Sequence, residues 1–467
     1  MFDKSVYINR RDELIKRSKS LGLKGVAVLL GNSEVGMNYP GNTYRFRQDS
    51  TFLYFVGLDE PDMAVIVDFD SGESTLFAND VTIDDIIWMG PQPSVSEKAT
   101  FVGIANFEQF KDLKEKIQRV LSSGREVHTL PQYRDHNRIL LSSLLGISIE
   151  DLSKSISVPL IKAVVSLREI KEEIEVKELD AAAEIGYAMH YTAMKMAKLG
   201  MVEQELVGIM EGIAISNGYM PSFPIILSQN GETLHNHNHS QILTKGRLLV
   251  VDAGAESASH YASDFTRTIP SDGKFTSAQK DIYDIVALAN NMAKDLIRPG
   301  ITYSSVHLEV ARLITQGLKN LGIMKGSVED AVSSGAHALF MPHGLGHQLG
   351  LDVHDMEDLG ENFVGYDDKY SRAQQFGLRS LRMGKELKIG HVITNEPGIY
   401  FIPALIDKWS AEGINKEFIN FEKLKDYRTF GGIRLEDDIL LTKSGCRLLG
   451  TRRLPISTED VEKEMNE

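Results

Sequence analysis

The chain has a single cysteine, Cys446, in 467 residues. An internal disulfide is therefore excluded, and such cysteine usage suits a reducing compartment. No apolar run approaches the roughly 18 residues that span a bilayer. The N-terminal MFDKSVYINRRDELIKRSKS has no apolar stretch of the secretory type, so a cytoplasmic location is expected. Basic tracts are missing too. The formal net charge is −14, which argues against nucleic acid or an anionic membrane as a partner. No segment is of low complexity. What remains is ordinary globular material, 42% apolar and 25% charged, long enough for two or more domains with a sizeable core.

Residues 1 to about 165 read as an α/β unit. A charged amphipathic segment over 8–20 precedes the strand-like GVAVLL (25–30). MAVIVDF (63–69) and STLFAN (74–79) flank a DSGE turn, the signal of a hairpin. Helical patterns are predicted over 107–123 and 136–145, and PLIKAVVSL (159–167) reads as a connector. The second region, 166–467, repeats an order of elements. A long helix from Arg168 to Leu199, ended by Gly200, and a second over about 203–217 precede strand-like runs at 223–228, 247–252 and 260–268. Helices then recur over about 277–297 and from near Ser304, with strand-like segments at 392–396 and 433–441. KLGMVEQEL (198–206) and RPGITYSSV (298–306) occupy equivalent places, which implies an internal duplication of α+β type. The polar stretch 356–376 reads as a loop or insertion.

The chemistry concentrates in PHGLGHQLGLDVHD (342–355), which packs three histidines, three glycines and two aspartates into fourteen residues. Histidine is the commonest side chain for metal ligation and for proton transfer near neutral pH. LLVVDAG, YASDFTRTIP, TNEPGIYF and GGIRLEDD supply Asp252, Asp264, Glu396 and Glu436. Each motif has a plainer reading alone: a strand-end Asp is a turn residue, EPG is a turn, and RLEDD is a solvated acidic run. His343 and His347 have the spacing of a zinc-protease helix, but Gly344 and Gly346 disfavour a helix there. Taken together, Asp252, Asp264, His347, Glu396 and Glu436 form an oxygen-rich set with one imidazole, which suits Mn²⁺ better than thiolate-loving ions. Four carboxylate charges favour two divalent ions, with a shared water or hydroxide as nucleophile for an amide or ester.

These motifs, in this order, resemble the pita-bread metallopeptidases, the family that includes methionine aminopeptidase, aminopeptidase P and prolidase. The resemblance spans about 168–445. It implies that Asp252, Asp264, His347, Glu396 and Glu436 are the metal ligands, with Asp264 and Glu436 bridging two ions. It also implies that His235, His343 and His354 are catalytic or position substrate, and that Arg434 orients ligands. Glu396 is the expected proton shuttle. RFRQDSTFLYFVGLDEPD (45–62) resembles the N-terminal domain of aminopeptidase P and prolidase, which methionine aminopeptidases lack. The substrates implied are peptides with proline in second position, whose fixed ring demands a dedicated pocket.

Three departures from the family pattern stand out. Asp252 and Asp264 are twelve apart, one residue wider than expected, and the extra residue is assigned to the loop between them. His237 and His239 crowd His235. Asn395 stands where a small apolar residue is common. GLRSLRMGKELKIG (377–390) resembles prolidase, where Arg382 falls at a position that can hold a dipeptide's terminal carboxylate. YRFRQDSTFLYF suits bacterial aminopeptidase P, and Xaa-Pro aminopeptidase is the preferred reading, with Xaa-Pro dipeptidase as the alternative. A dimer or tetramer is expected. Trp88 is the candidate lid residue, against the alternative of a Trp buried in the N-terminal domain.

Overall fold

The computed structural model describes residues 2–467, which divide into two compact units. The first comprises the chain to Arg168 together with Asp358–Phe363, and the second comprises Glu169–Glu357 and Val364–Glu467.

The first unit is built on a five-stranded mixed sheet. Its strand order is Asn106–Gln109, Ser74–Ala78, Ala64–Asp68, Val26–Leu30 and Val127–His128. Val26–Leu30 is apolar at every position and buried throughout, as a central strand covered on both faces must be. Ala64–Asp68 and Ser74–Ala78 pair antiparallel across the expected hairpin. Leu113, Ile117 and Val120 lie on one face of helix Leu113–Ser122 and pack with Val28, Ile66 and Phe77.

Three sequence expectations change here. The segment expected to begin a helix at 107 is instead the strand Asn106–Gln109, paired parallel with Ser74–Ala78, and the helix starts at Leu113. A non-local pairing overrides the local pattern. PLIKAVVSL is not a connector but lies within helix Val158–Arg168, which packs on helix Lys4–Ser20. Pro159 sits in its first turn, where a missing N–H costs nothing. That helix also takes Arg168, so the long helix of the second unit runs only over Glu173–Met196.

The second unit carries the duplication in its backbone. Helix pairs Glu173–Met196/Glu203–Asn217 and Ser277–Leu296/Tyr303–Asn320 are each joined through a glycine at φ +89°, Gly200 and Gly300. The Gly200 N–H donates to Leu243 O at 3.0 Å, and the Gly300 N–H to Leu387 O at 2.9 Å. Leu243 then returns a bond to Met201 O, and Leu387 to Ile301 O, each at 2.8 Å. Isolated bridges Val202–Ile242 and Thr302–Glu386 repeat the same step. Each helix pair leads into a small antiparallel sheet. One holds Phe265–Pro270, Leu248–Ala253 and Ile226–Ser228, and the other Val392–Asn395, Asp437–Thr442 and Gly445–Leu448. Bridge Thr266–Glu436 and the ribbon Gly398–Tyr400/Gly432–Arg434 bring the two halves together. Leu249, Val251, Ile393 and Ile439 share one apolar core behind the polar face.

Among the described residues, no helix is long and apolar enough to cross a membrane.

Candidate metal centre

Asp252 occupies the strand Leu248–Ala253, buried at all six positions, directly opposite Thr266. Asp264 does not sit on the next strand as expected but immediately before it, since Phe265–Pro270 begins one residue later. The intervening chain turns tightly, with His260 at φ +68° and the Glu256–Ala262 bridge closing the loop. The Asp264 N–H donates to Asp438 Oδ2 at 2.9 Å, which fixes the backbone ahead of the strand. Gly254 is needed here, because a Cβ would lie 1.7 Å from Ser263 O.

His347 is delivered by an irregular segment. A Cβ at Gly346 would lie 2.2 Å from Thr394 O, so the glycines of HGLGH permit a close approach to the strand Val392–Asn395, which Glu396 directly follows. The His347 N–H donates to Thr394 Oγ1 at 3.1 Å, and Nδ1 donates to Gln348 O at 3.0 Å. That bond leaves Nε2 as the lone-pair nitrogen, and Nε2 lies 3.4 Å from Asp264 Oδ2 and 3.8 Å from Glu396 Oε1. Asn395, the unusual residue beside Glu396, exchanges side-chain bonds with the Asn290 backbone and the reverse, at 2.9 and 3.1 Å. The pair pins strand to helix, which explains an amide at that position.

Asp264, His347 and Glu436 each present one ligand atom, all within 4.8 Å of one another. Asp252 Oδ1 and Asp264 Oδ1 are buried with no hydrogen-bond partner. Burial drives Asp264 and Glu436 well above the usual carboxylate range, and the neighbouring acids push them further. Glu396 is raised by burial to about 8, with Arg434 opposing and Asp264 and Asp252 adding to the rise. Buried acids crowded in this way, with orphaned acceptors, carry more negative charge than Arg434 alone offsets. The donor set fits hard divalent cations: oxygens with one imidazole whose other nitrogen is held by a carbonyl.

Arg434 is the hub of the surrounding network. Its guanidinium donates to Asp252 Oδ2, to Thr266 Oγ1 at 3.1 Å and to the Tyr400 hydroxyl at 2.8 Å. Thr266 Oγ1 in turn donates to Glu436 Oε2 at 2.7 Å. The Tyr400 hydroxyl lies 2.9 Å from His343 Nε2, while His343 Nδ1 donates to Gly344 O at 2.8 Å. Burial first, then Arg434, holds His343 down at about 3, so it is neutral and accepts the Tyr400 proton. His354 lies with its ring 4.1 Å from that of His347 and bonds Glu357 through Nδ1. Arg382 Nε donates to the other oxygen of Glu357 at 3.2 Å. His235 is exposed as a residue, but surrounding atoms partly desolvate its ring, and this, with the nearby Arg434 charge, lowers its pKa. His239 bonds Leu227 O at 3.0 Å through Nδ1. Trp88 is 85% exposed on helix Ile83–Met89, so the alternative of a buried Trp does not hold.

Tyr400, Thr266 and Glu357 were missed by sequence reasoning. Tyr400 lies inside the EPGIYF segment already singled out, so its polar tip beside a metal-site motif was the available signal.

The comparisons agree with this geometry. Residues 177–443 match Metallopeptidase family M24, and residues 7–129 match the Aminopeptidase P, N-terminal domain. The chain belongs to Metallopeptidase family M24. It is 32% identical over 464 residues to the human Xaa-Pro dipeptidase, covering 96% of this chain and 90% of that protein. It is 30% identical over 465 residues to a probable Xaa-Pro aminopeptidase of Botryotinia fuckeliana, covering 99% and 96%. Among solved structures, Escherichia coli aminopeptidase P in complex with substrate aligns with TM-score 0.80 at 27% identity, covering 100% of this chain and 99% of that one. Proline aminopeptidase P II from Yersinia pestis aligns with TM-score 0.81 at 28% identity over the full length of both. The fold is an aminopeptidase P-type N-terminal domain followed by a pita-bread catalytic domain, and the protein is an Xaa-Pro peptidase by family.

Proposed function

We propose that the protein is an Xaa-Pro aminopeptidase, releasing the residue that precedes a proline in second position. The observation that carries this reading is the buried convergence of Asp264, His347 and Glu436 on one point, with Asp252 and Glu396 beside it. These five residues would hold two divalent ions, with Mn²⁺ favoured by the oxygen-rich donor set. When bound, such ions polarise a scissile carbonyl and lower the pKa of a water.

The remaining work falls to the chain itself. Glu396, raised to about 8 by burial and the neighbouring acids, is the carboxyl placed to exchange a proton at this site. His343, neutral and held through both ring nitrogens by Gly344 O and the Tyr400 hydroxyl, would serve as a fixed wall of the substrate site. His354 and His235 flank it. Arg434 keeps Asp252 and, through Thr266, Glu436 in place. Full-length alignment with aminopeptidase P structures supports the aminopeptidase reading. A second reading, Xaa-Pro dipeptidase, is supported by the human relative and by Arg382, whose guanidinium could hold a proline carboxylate. The single cysteine supports a cytoplasmic location.

The test is hydrolysis of Ala-Pro and Ala-Pro-Ala by metal-stripped enzyme and by enzyme restored with Mn²⁺. Cleavage of Ala-Pro-Ala only after restoration is the expected result. Rapid cleavage of Ala-Pro with Ala-Pro-Ala inert would move the assignment to dipeptidase.

A further inference from the structure

Glu357 stands in the polar stretch 356–376, outside every motif of the metal centre. Its carboxylate is divided between two neighbours. One oxygen accepts from His354 Nδ1, and the other accepts from Arg382 Nε at 3.2 Å. All three side chains are about one-third exposed: 37% for Glu357, 31% for His354 and 35% for Arg382. Solvent therefore reaches the group without washing out the charges. The hydrogen bond from His354, stronger than the opposing effect of burial, holds Glu357 down at about 2, so it is an anion at neutral pH.

We infer that Glu357 is a specificity-determining residue, setting how strongly Arg382 favours a substrate that ends in a free carboxylate at proline. The inference rests on the Xaa-Pro reading above. Arg382 alone would present a full positive charge to that carboxylate. With Glu357 on its Nε edge, the pair is neutral, and the carboxylate of a dipeptide meets a carboxylate as well as a guanidinium. A peptide that continues past proline, or one ending in an amide, carries no charge at that place and is indifferent to the pair. Glu357 thus tilts the enzyme from dipeptides toward longer peptides. The competing possibility is that Glu357 merely orients Arg382, as carboxylates often do for a guanidinium that binds substrate. The two predict opposite signs when the charge is removed.

The measurement compares Ala-Pro, Ala-Pro amide and Ala-Pro-Ala on the Mn²⁺-restored enzyme. The quantity read is kcat/KM for Ala-Pro divided by kcat/KM for Ala-Pro amide. Glu357→Gln should raise this ratio by about tenfold, through a lower KM for Ala-Pro; any change that reaches turnover through His354 is common to both substrates and cancels in the ratio. Glu357→Asp retains the charge and should leave the ratio near that of the wild type. Arg382→Ala should lower it, since an unbalanced carboxylate is left behind. The double variant Glu357→Gln, Arg382→Ala is again neutral and should return to the wild-type ratio. This order follows net charge, and the Arg382→Ala arm can be read even if a Glu357 variant does not fold. A fall of the ratio in Glu357→Gln, or equal changes for Ala-Pro and its amide, would overturn the inference while leaving the peptidase reading intact. A restored wild type that cleaves none of the three would sink both.

Discussion

Arg434 donates a hydrogen bond to the Tyr400 hydroxyl at 2.8 Å, in a site where both side chains are buried. The hydroxyl has one proton, and Arg434 has no acceptor, so that proton goes to the other partner, His343 Nε2. The same guanidinium holds Asp252 and, through Thr266, touches Glu436. One arginine therefore ties two carboxylates of the candidate metal centre to His343 through Tyr400.

Tyr400→Phe removes this link and little else. We expect turnover to fall about 10–100-fold, the usual range for groups that orient ligands. Metal content should be retained, because Asp252 keeps its own bond to Arg434. Elemental analysis alongside steady-state kinetics checks both halves. Unchanged turnover would reduce Tyr400 to packing.

Glu436→Gln tests the charge argument. With metal present, loss of a ligand should take activity to background and lower the metal content. Without metal the sign reverses. Removing one charge from a crowded buried set relieves repulsion and desolvation, so the stripped variant should melt above the stripped wild type. Melting curves with and without Mn²⁺ provide the check. A stripped variant that melts below the stripped wild type would contradict the picture of uncompensated acids.

The candidate set could be picked out in the sequence because each member sits in a short motif with its own turn or strand signal, such as HGLGH or EPG, and the structure brings Asp264, His347 and Glu436 together. The duplication was legible from the order of elements, and Gly200 and Gly300 confirm it with the same φ. What was not legible depends on pairings distant in sequence. Thr266 meets Glu436 across 170 positions, and nothing near either residue announces the contact. The strand Asn106–Gln109 exists because Ser74–Ala78 offers it an edge, and local periodicity read it as helix. Helix Val158–Arg168 is rich in Val, Ile and Leu because it buries a face, which blurs the helical pattern.

A pair of core histidines gives a pH prediction independent of the metal centre. His307 and His337 lie with rings 6.2 Å apart, fully buried, and none of their four ring nitrogens has a hydrogen-bond partner. Burial lowers His307 to about 3 and His337 to about 4. Both folded values lie below the unfolded value of about 6.5. Their contribution is therefore complete above pH 6.5 and is lost as pH falls from there toward 3–4, because the unfolded chain takes up protons first. The slope approaches about 1.4 kcal/mol per pH unit for each histidine within that window. The double variant His307→Leu, His337→Leu should flatten the fall in Tm between pH 6.5 and 5, at constant Mn²⁺. An identical pH slope in variant and wild type would show that the pair titrates normally.

The last prediction concerns self-association. Helix Ile83–Met89 buries none of its residues, and Ile83, Ile87, Trp88 and Met89 are 74%, 70%, 85% and 63% exposed. Its Thr82–Asp85 capping box stabilises the helix locally, so its apolar surface is not needed to form it. Four large apolar side chains clustered on one short exposed element are the mark of a contact surface, and Trp is a frequent anchor in such contacts. We therefore expect a dimer or tetramer in solution, with a second copy covering this helix. Light scattering should report a multiple of the 52.0 kDa chain mass. Ile87→Asp with Trp88→Asp should shift it toward the monomer while leaving the metal centre loaded. A clean monomer for the wild type at working concentration, or a variant with unchanged mass, would leave this surface without the role assigned to it.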